Sequence, residues 1–351
     1  MMEKINLNAR VVTFGEVMLR LSPPNFMRFT QARSFDVIYG GGEVNVAVSL
    51  ANFGIPVDYV TKIPKNEIGD ACVQFLKQFG VNTEKIVRGG DRLGIYFLEM
   101  GAAVRSSKVI YDRANSAISL IKPGEFDWHK IFENINWFHW TGITPAVSQN
   151  LADACLEAIK IAKNKNLTIS CDLNYRANLW KYGKKASEIM PELIKYCDIA
   201  IGNEEDAEKV FGINASGSDV TSGKVDAQNY KYVAQELMKK FPNLKQVAIT
   251  LRGSISASHN TWSGVLYDGK RLFVAPQYDI DFIVDRVGGG DAFAAGLIYG
   301  SLTYKSDTQK TLNFAVAASC LKHTVFGDFN LVSIDEVTKI MEGNVSGRVS
   351  R

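Results

Sequence analysis

The residues best suited to chemistry lie in the run Phe282-Ile283-Val284-Asp285-Arg286-Val287-Gly288-Gly289-Gly290-Asp291-Ala292-Phe293-Ala294-Ala295-Gly296. It reads as a strand, a glycine loop and the start of a helix. Three consecutive glycines let the backbone turn where side chains would clash, and they leave N–H groups bare. With the positive end of the following helix, those groups form a site for a phosphate oxyanion. Asp291 falls in the first helical turn. A carboxylate there is the wrong group to bind phosphate but the right one to take a proton from an attacking hydroxyl. The pair points to phosphoryl transfer to an alcohol. A plain turn followed by an Asp N-cap is the competing reading. The next residues favour the functional one, because Phe293, Leu297 and Gly300 share a helix face. Gly296 and Gly300 offer a smooth surface for packing on a sheet, so a buried helix holds the loop.

The elements that must position this loop alternate between strand and helix. Segments 11–21, 57–63, 137–140, 167–173, 198–201 and 246–251 are strand-like. Segment 43–53 is a helix closed by Gly54, 66–79 a helix with Ile68, Ala71, Cys72, Phe75, Leu76 and Phe79 on one stripe, and 148–163 a third. This alternation predicts a mostly parallel sheet wrapped by helices. Two regions, 18–39 and 93–113, carry β-branched and aromatic residues without a helix period. The second reads as a hairpin, and together they predict a small sheet lid beside the main one. Segment 262–276 is a further hairpin turning at Asp268-Gly269. The expected organisation is one α/β domain over 1–342, with lid strands from about 16–40 and 93–113, and a mobile tail at 343–351.

Composition excludes several classes. The 351 residues have 46% hydrophobic content and a net charge of +3 from 40 basic and 37 acidic residues, well mixed, so no nucleic-acid surface is expected. No stretch reaches the roughly 18 apolar residues of a membrane helix, and residues 1–10 lack the apolar core of a secretory leader. The five cysteines are scattered, which fits free thiols in a reducing cytoplasm. The four histidines show no ligand spacing.

Ligands of open α/β sheets bind at the carboxyl ends of strands. Polar and glycine residues recur there: Gly15-Glu16, Gly40-Gly41-Gly42-Glu43-Val44-Asn45, Asp172-Leu173-Asn174-Tyr175-Arg176, Gly202-Asn203-Glu204-Glu205-Asp206, Thr250-Leu251-Arg252-Gly253 and the Gly288 loop.

On these residues the chain resembles the ribokinase-like, or PfkB, carbohydrate kinases along nearly its whole length. Gly40-Gly41-Gly42-Glu43-Val44-Asn45-Val46-Ala47 resembles the N-terminal signature, and Asp285 to Gly296 the C-terminal one. Within the family the resemblance is to 2-keto-3-deoxygluconate kinases, through segments 12–20, 94–99, 109–113 and 172–176. It implies a ribokinase-like fold, ATP and Mg2+ as cofactors, a sugar-acid substrate, and a homo-oligomer formed through the lid. It implies Asp291 as base, and Gly288, Gly289 and Gly290 as the anion hole. Gly41, Glu43 and Asn45 would lie against the sugar acid, with Tyr96, Tyr111, Arg113, Arg176 and Asp328 as further substrate contacts. Asn203, Thr250, Arg252 and Gly253 would line the nucleotide groove. Glu205 or Asp206 would address magnesium through water, at the place of the family's Asn-x-x-Glu motif. Two positions depart from the pattern: Arg286 replaces the usual Thr, which questions a monovalent-cation site there, and Asp206 is one methylene shorter than Glu.

Residue chemistry runs beside the resemblance. Arg113 and Arg176 offer the planar fork that suits a substrate carboxylate; an internal pair of Arg176 with Asp172 is the competing reading. Tyr96 and Tyr111 read equally well as strand aromatics. Glu204-Glu205-Asp206 also reads as a favourably charged first helical turn. The leading expectation is an ATP-dependent sugar-acid kinase. A fructokinase or ribokinase, a dinucleotide-linked oxidoreductase and a non-catalytic sugar-binding regulator are the alternatives; the oxidoreductase lacks a glycine fingerprint in the first strand–helix unit.

Overall fold

The computed structural model describes residues 9–214 and 227–344. Its first part runs β1 (Val11–Phe14), β2 (Met18–Ser22), β3 (Asp36–Gly40), α1 (Gly42–Asn52), β4 (Val57–Val60), β5 (Lys62–Ile63), α2 (Glu67–Gln78), β6 (Val87–Arg88), β7 (Gly94–Glu99) and β8 (Lys108–Asp112). The middle runs α3 (Trp128–Ile131), β9 (Trp137–Thr141), α4 (Ile143–Val147), α5 (Gln149–Asn164), β10 (Thr168–Asp172), α6 (Ala186–Ile194), β11 (Ile199–Gly202), α7 (Glu204–Phe211) and α8 (Ala227–Lys240). The last part is β12 (Gln246–Ser254), β13 (Asn260–Tyr267), β14 (Leu272–Val274), β15 (Tyr278–Ile280), α9 (Gly289–Thr303), α10 (Thr308–Lys322) and α11 (Ile334–Met341).

The main sheet has the order β14-β13-β12-β11-β10-β9-β1-β4, with β15 on β13. From β4 to β12 every pairing is parallel, and antiparallel strands begin at β13. Strands buried on both faces feed two cores. Val12, Phe14 and Phe138 pack with α5, while Val11 and Trp137 belong to the opposite core, which holds α1, α9 and α10. The lid is a separate four-stranded sheet, β3-β2-β7-β8. The strand–helix rhythm predicts this mostly parallel sheet wrapped by helices, and with its small separate sheet it matches the ribokinase-like fold that the resemblance implies.

The structure corrects several local expectations. Segment 11–21 is not one strand: the break at Gly15–Val17 carries the chain from the main sheet into the lid. Segment 57–63 divides between β4 and β5, which belong to different sheets. Residues before the glycine loop are irregular, with Phe282 67% exposed and the Val284 amide donating to the His323 carbonyl. Gly296 and Gly300 face α10, not a sheet. A Cβ on them would lie 2.7 Å from Ala315 Cα and 2.9 Å from Thr311 Cα. Close helix contact explains the two glycines, and with α1 on its other side α9 is apolar all round. Of the expected tail 343–351, residues 345–351 lie outside the described residues.

Candidate active site

A cleft of about 650 Å³ opens between the lid and the carboxyl ends of the main strands. Its lid wall is Met18, Tyr96, Val109 and Tyr111. Alternation along β7 and β8 puts Tyr96 opposite Tyr111 across the pair, with ring centroids 6.1 Å apart. The floor is Gly41, Gly42 and Asn45 at the start of α1, the Gly288–Gly290 loop, Asp291 and Asp328. The far end is built by Thr250, Arg252 and Ser254 on β12, Trp262 on β13, Arg286, Val287 and His323.

Gly288 is the N-cap of α9 and has φ 85°, a left-handed conformation. A Cβ there would meet the Asp328 carbonyl oxygen at 2.0 Å, a backbone atom that cannot step aside. Gly290 has nothing within 4 Å of its would-be Cβ. Gly288→Ala is therefore expected to destabilise the fold by at least the ~1–2 kcal/mol of a left-handed L-residue. Gly290→Ala should leave stability unchanged or slightly raised but lower turnover, because its methyl enters the cleft. Urea midpoints in the opposite order would contradict this geometry.

Asp291, at the third position of α9, lies deep in the cleft yet open to it. Its Oδ2 accepts from Asn45 Nδ2 at 2.7 Å. Burial pushes its carboxyl up to about 6, the Asn45 bond opposes the rise, and Asp328 adds to it. The group is thus a proton acceptor poised near neutrality, which favours general-base work. Asp172, at the end of β10, also lines the cleft, and burial together with Asp206 and Asp291 raises its carboxyl well above the usual value.

A buried charge network underlies the floor. Arg20 of β2 donates to Asp328 Oδ1 at 2.8 Å and to Asp285 Oδ2 at 2.6 Å, and the Tyr96 hydroxyl donates to Asp328 Oδ2 at 2.5 Å. Burial works against the Arg20 charge, but the two carboxylates outweigh it and hold the guanidinium above the ordinary arginine value. The network fastens a lid strand to the segments on both sides of the glycine loop. Lys322 lies behind that loop, its ammonium donating to the Val325 carbonyl at 3.0 Å.

Three expected contacts are not brought to the cleft. Glu43 is buried beneath it, accepting from the Thr141 amide, the Thr141 hydroxyl and the Thr144 hydroxyl; burial pushes its carboxyl up to about 7. Its role is to join α1 to the end of β9 and to α4. Arg113 is buried against Glu16, with Nε 2.8 Å from Oε2 and a second guanidinium nitrogen on the same oxygen. Ser116 donates to the other Glu16 oxygen at 2.6 Å. That pair ties the two ends of the lid together and commits Arg113 Nε and Nη2 to Glu16. Gly253 points away from the cleft because strand alternation presents Thr250, Arg252 and Ser254 instead.

Gly41, Asn45, Tyr96, Tyr111, Arg176, Asp328, Asn203, Thr250 and Arg252 all line the cleft. So do Glu205 and Asp206. Asp206 is the third residue of a capping box: its Oδ2 accepts from the Asn203 amide at 3.0 Å and its Oδ1 from the Tyr175 amide at 2.8 Å. Glu205 is exposed and keeps its carboxylate for the cleft. Sequence reasoning assigned no site role to Arg20, Trp262 and His323, and considered Asp172 only as a partner for Arg176. The signal for Arg20 was a charge at a position where alternate residues of Met18–Ser22 are buried.

Comparison with known proteins bears on the family and the fold. The family model for pfkB family carbohydrate kinases matches residues 8–333. A 2-dehydro-3-deoxygalactonokinase of Haloferax volcanii is 32% identical over 97% of this chain and 99% of its own length. A 2-dehydro-3-deoxygluconokinase of Bacillus subtilis is 28% identical over 85% of this chain and 86% of its own. The crystal structure of a 2-dehydro-3-deoxygluconokinase from Thermotoga maritima superposes with a TM-score of 0.90 at 50% identity, covering 95% of this chain and all of that one (100%). Sugar kinases of this kind are phosphotransferases, which sets aside the dinucleotide-linked alternative. With a matching family model, a shared fold and two signatures facing one cleft, the chain belongs to the PfkB family of carbohydrate kinases.

Proposed function

We propose that the protein transfers the γ-phosphoryl group of ATP to the 6-hydroxyl of 2-keto-3-deoxygluconate or of its C4 epimer, 2-keto-3-deoxygalactonate. The observation that carries this reading is Asp291, a carboxylate raised to about 6 and held by Asn45 at the mouth of the glycine loop. Asp291 takes the hydroxyl proton as the new O–P bond forms. The bond to the β-phosphate breaks and ADP leaves with its electron pair. Backbone N–H groups of Gly288–Gly290 and the N-terminus of α9 hold the transferring group. The names of the relatives above support both epimers of the acid.

The substrate carboxylate falls to Arg176, not Arg113. Arg176 lines the cleft and forms no ion pair among the described residues; its guanidinium donates to the Tyr175 carbonyl. Glu205 and Asp172 are hard oxygen donors, and the buried Asn174 Oδ1 beside them has no partner. No group of three acidic, His or Cys ligands gathers among the described residues. A magnesium ion that keeps several waters fits such a set. When bound, magnesium neutralises charge on the phosphates. Tyr96 meets the sugar from the lid side and Asp328 from the floor, and water is excluded when the lid closes.

The row Ile110, Phe97, Leu21 and Val37 runs across the lid face turned from the cleft, with Ile110 55% and Val37 57% exposed. A second copy of the chain is the partner we assign to it. No helix among the described residues is long and apolar enough to cross a membrane. A cytoplasmic site of action suits ATP and free thiols.

Arg176→Met tests the substrate class. It should lower kcat/KM for the sugar acid by about 10- to 150-fold, the worth of a hydrogen bond to a charged group. Any slow turnover of a neutral sugar such as fructose should fall far less. An unchanged ratio of the two efficiencies would assign Arg176 to phosphate and leave a neutral sugar as the better substrate.

A further inference from the structure

Arg286 forms no ion pair among the described residues, and its neighbour Asp285 offsets its charge only in part. Asp285 is spent on Arg20 and on the amides of Val287 and Gly327. Among the described residues the Arg286 guanidinium donates to two carbonyls, Ala257 at 2.6 Å and Ser256 at 3.3 Å. Arg252 lines the same end of the cleft, also without an ion pair among the described residues. Burial and Arg252 push the Arg286 pKa down, so the two charges stand together at a cost. An anion between them removes that cost, and this end of the cleft lies beyond the glycine loop, where the donor's remaining phosphates must go.

The carbonyls that Arg286 grips belong to the β12–β13 turn, and that turn holds the tip of the lid. The Ala257 amide donates to the Ala103 carbonyl at 2.7 Å, and the Ala103 amide donates to Ser258 Oγ at 3.0 Å. Ala103 has φ 50°, a left-handed conformation that alanine keeps only where its surroundings impose it. A continuous chain of contacts therefore runs from the donor end of the cleft, through one guanidinium and one turn, to the β7–β8 tip on the sugar side.

We propose that Arg286 is a positioning residue that couples binding of the donor's polyphosphate to closure of the lid tip over the sugar. The inference rests on the kinase reading above and adds an order to it. Donor phosphates fix the guanidinium, the guanidinium fixes the turn, and the turn fixes the lid. A coupling of this kind typically amounts to about 5- to 150-fold.

The test is hydrogen exchange of the 101–106 segment with and without magnesium and a non-hydrolysable ATP analogue, beside calorimetric titration of the same nucleotide. In the wild type, nucleotide alone should slow exchange at the tip about fivefold or more. Arg286→Lys should still bind nucleotide but lose the protection, because an ammonium lacks the planar fork that spans carbonyls and phosphate together. Ser258→Ala removes one of the two bonds between turn and tip, leaving the Ala257 amide on the Ala103 carbonyl. It should bind nucleotide like the wild type, lose part of the tip protection, and raise the KM for sugar without a matching fall in kcat. Nucleotide binding that leaves the wild-type tip unprotected would overturn the coupling alone, as would full protection in Ser258→Ala. A wild type that binds no nucleotide would overturn the kinase reading and the coupling with it.

Discussion

Asp291→Asn should fold, bind ATP and lose about 100- to 10,000-fold in turnover, the usual contribution of a positioned proton acceptor. The amide keeps the shape of the carboxylate but cannot take the hydroxyl proton. The wild-type pH profile should carry the same group. Because burial raises Asp291 to about 6, kcat/KM should fall tenfold per pH unit below about 6, and not only below 4. The stability effect has the opposite sense. Between the ordinary carboxylate value near 4 and about 6, the folded protein keeps a proton that the unfolded chain has released. Stability therefore falls as pH rises through that window, and above it the wild type carries a buried charge that the amide variant lacks. At pH 8 the variant should be at least as stable as the wild type. Near wild-type turnover, or a variant much less stable at pH 8, would remove Asp291 from the proposed role.

Arg20→Met should cost about 3–5 kcal/mol of stability, because it leaves Asp285 and Asp328 buried without their counter-charge. Methionine fills much of the same space, so the loss reports charge more than volume. The damage should fall first on the join between lid and glycine loop. Denaturant unfolding measures the first effect. A sugar KM that rises more than the ATP KM measures the second. A loss below about 1 kcal/mol, the range of an exposed pair, would show that the network is solvated and does not brace the floor.

The parts of the site legible in the sequence are those written in short, local patterns. Three glycines and an acid before an apolar run fix the loop, its helix and the place of Asp291. Period-two aromatics around a polar turn fix the β7–β8 hairpin and bring Tyr96 opposite Tyr111. On β12 the sequence reading is half right: Thr250 and Arg252 reach the cleft as expected, but strand alternation brings Ser254 there in place of Gly253.

What was not legible depends on partners far away along the chain. Arg113 reads as a free fork until Glu16, 97 residues earlier, is seen to hold it. Glu43 reads as a substrate contact until Thr141 and Thr144 close over it. Arg20 meets carboxylates 265 and 308 residues away. In the acidic group after Asn203, local capping decides the matter: Asp206 closes the helix start, and Glu205 is left for the cleft. The helix packing of Gly296 and Gly300 escaped notice because glycine shows that something approaches closely, not whether it is a sheet or another helix.

The most direct test of the central claim is coupled ADP release from the wild-type protein, with ATP and magnesium, over both C4 epimers of the keto-deoxy acid and a set of neutral sugars. The account predicts the highest kcat/KM for a keto-deoxy acid, with phosphate found on its 6-oxygen. Faster turnover of fructose or ribose than of either acid would contradict it, and so would phosphorylation at any other oxygen.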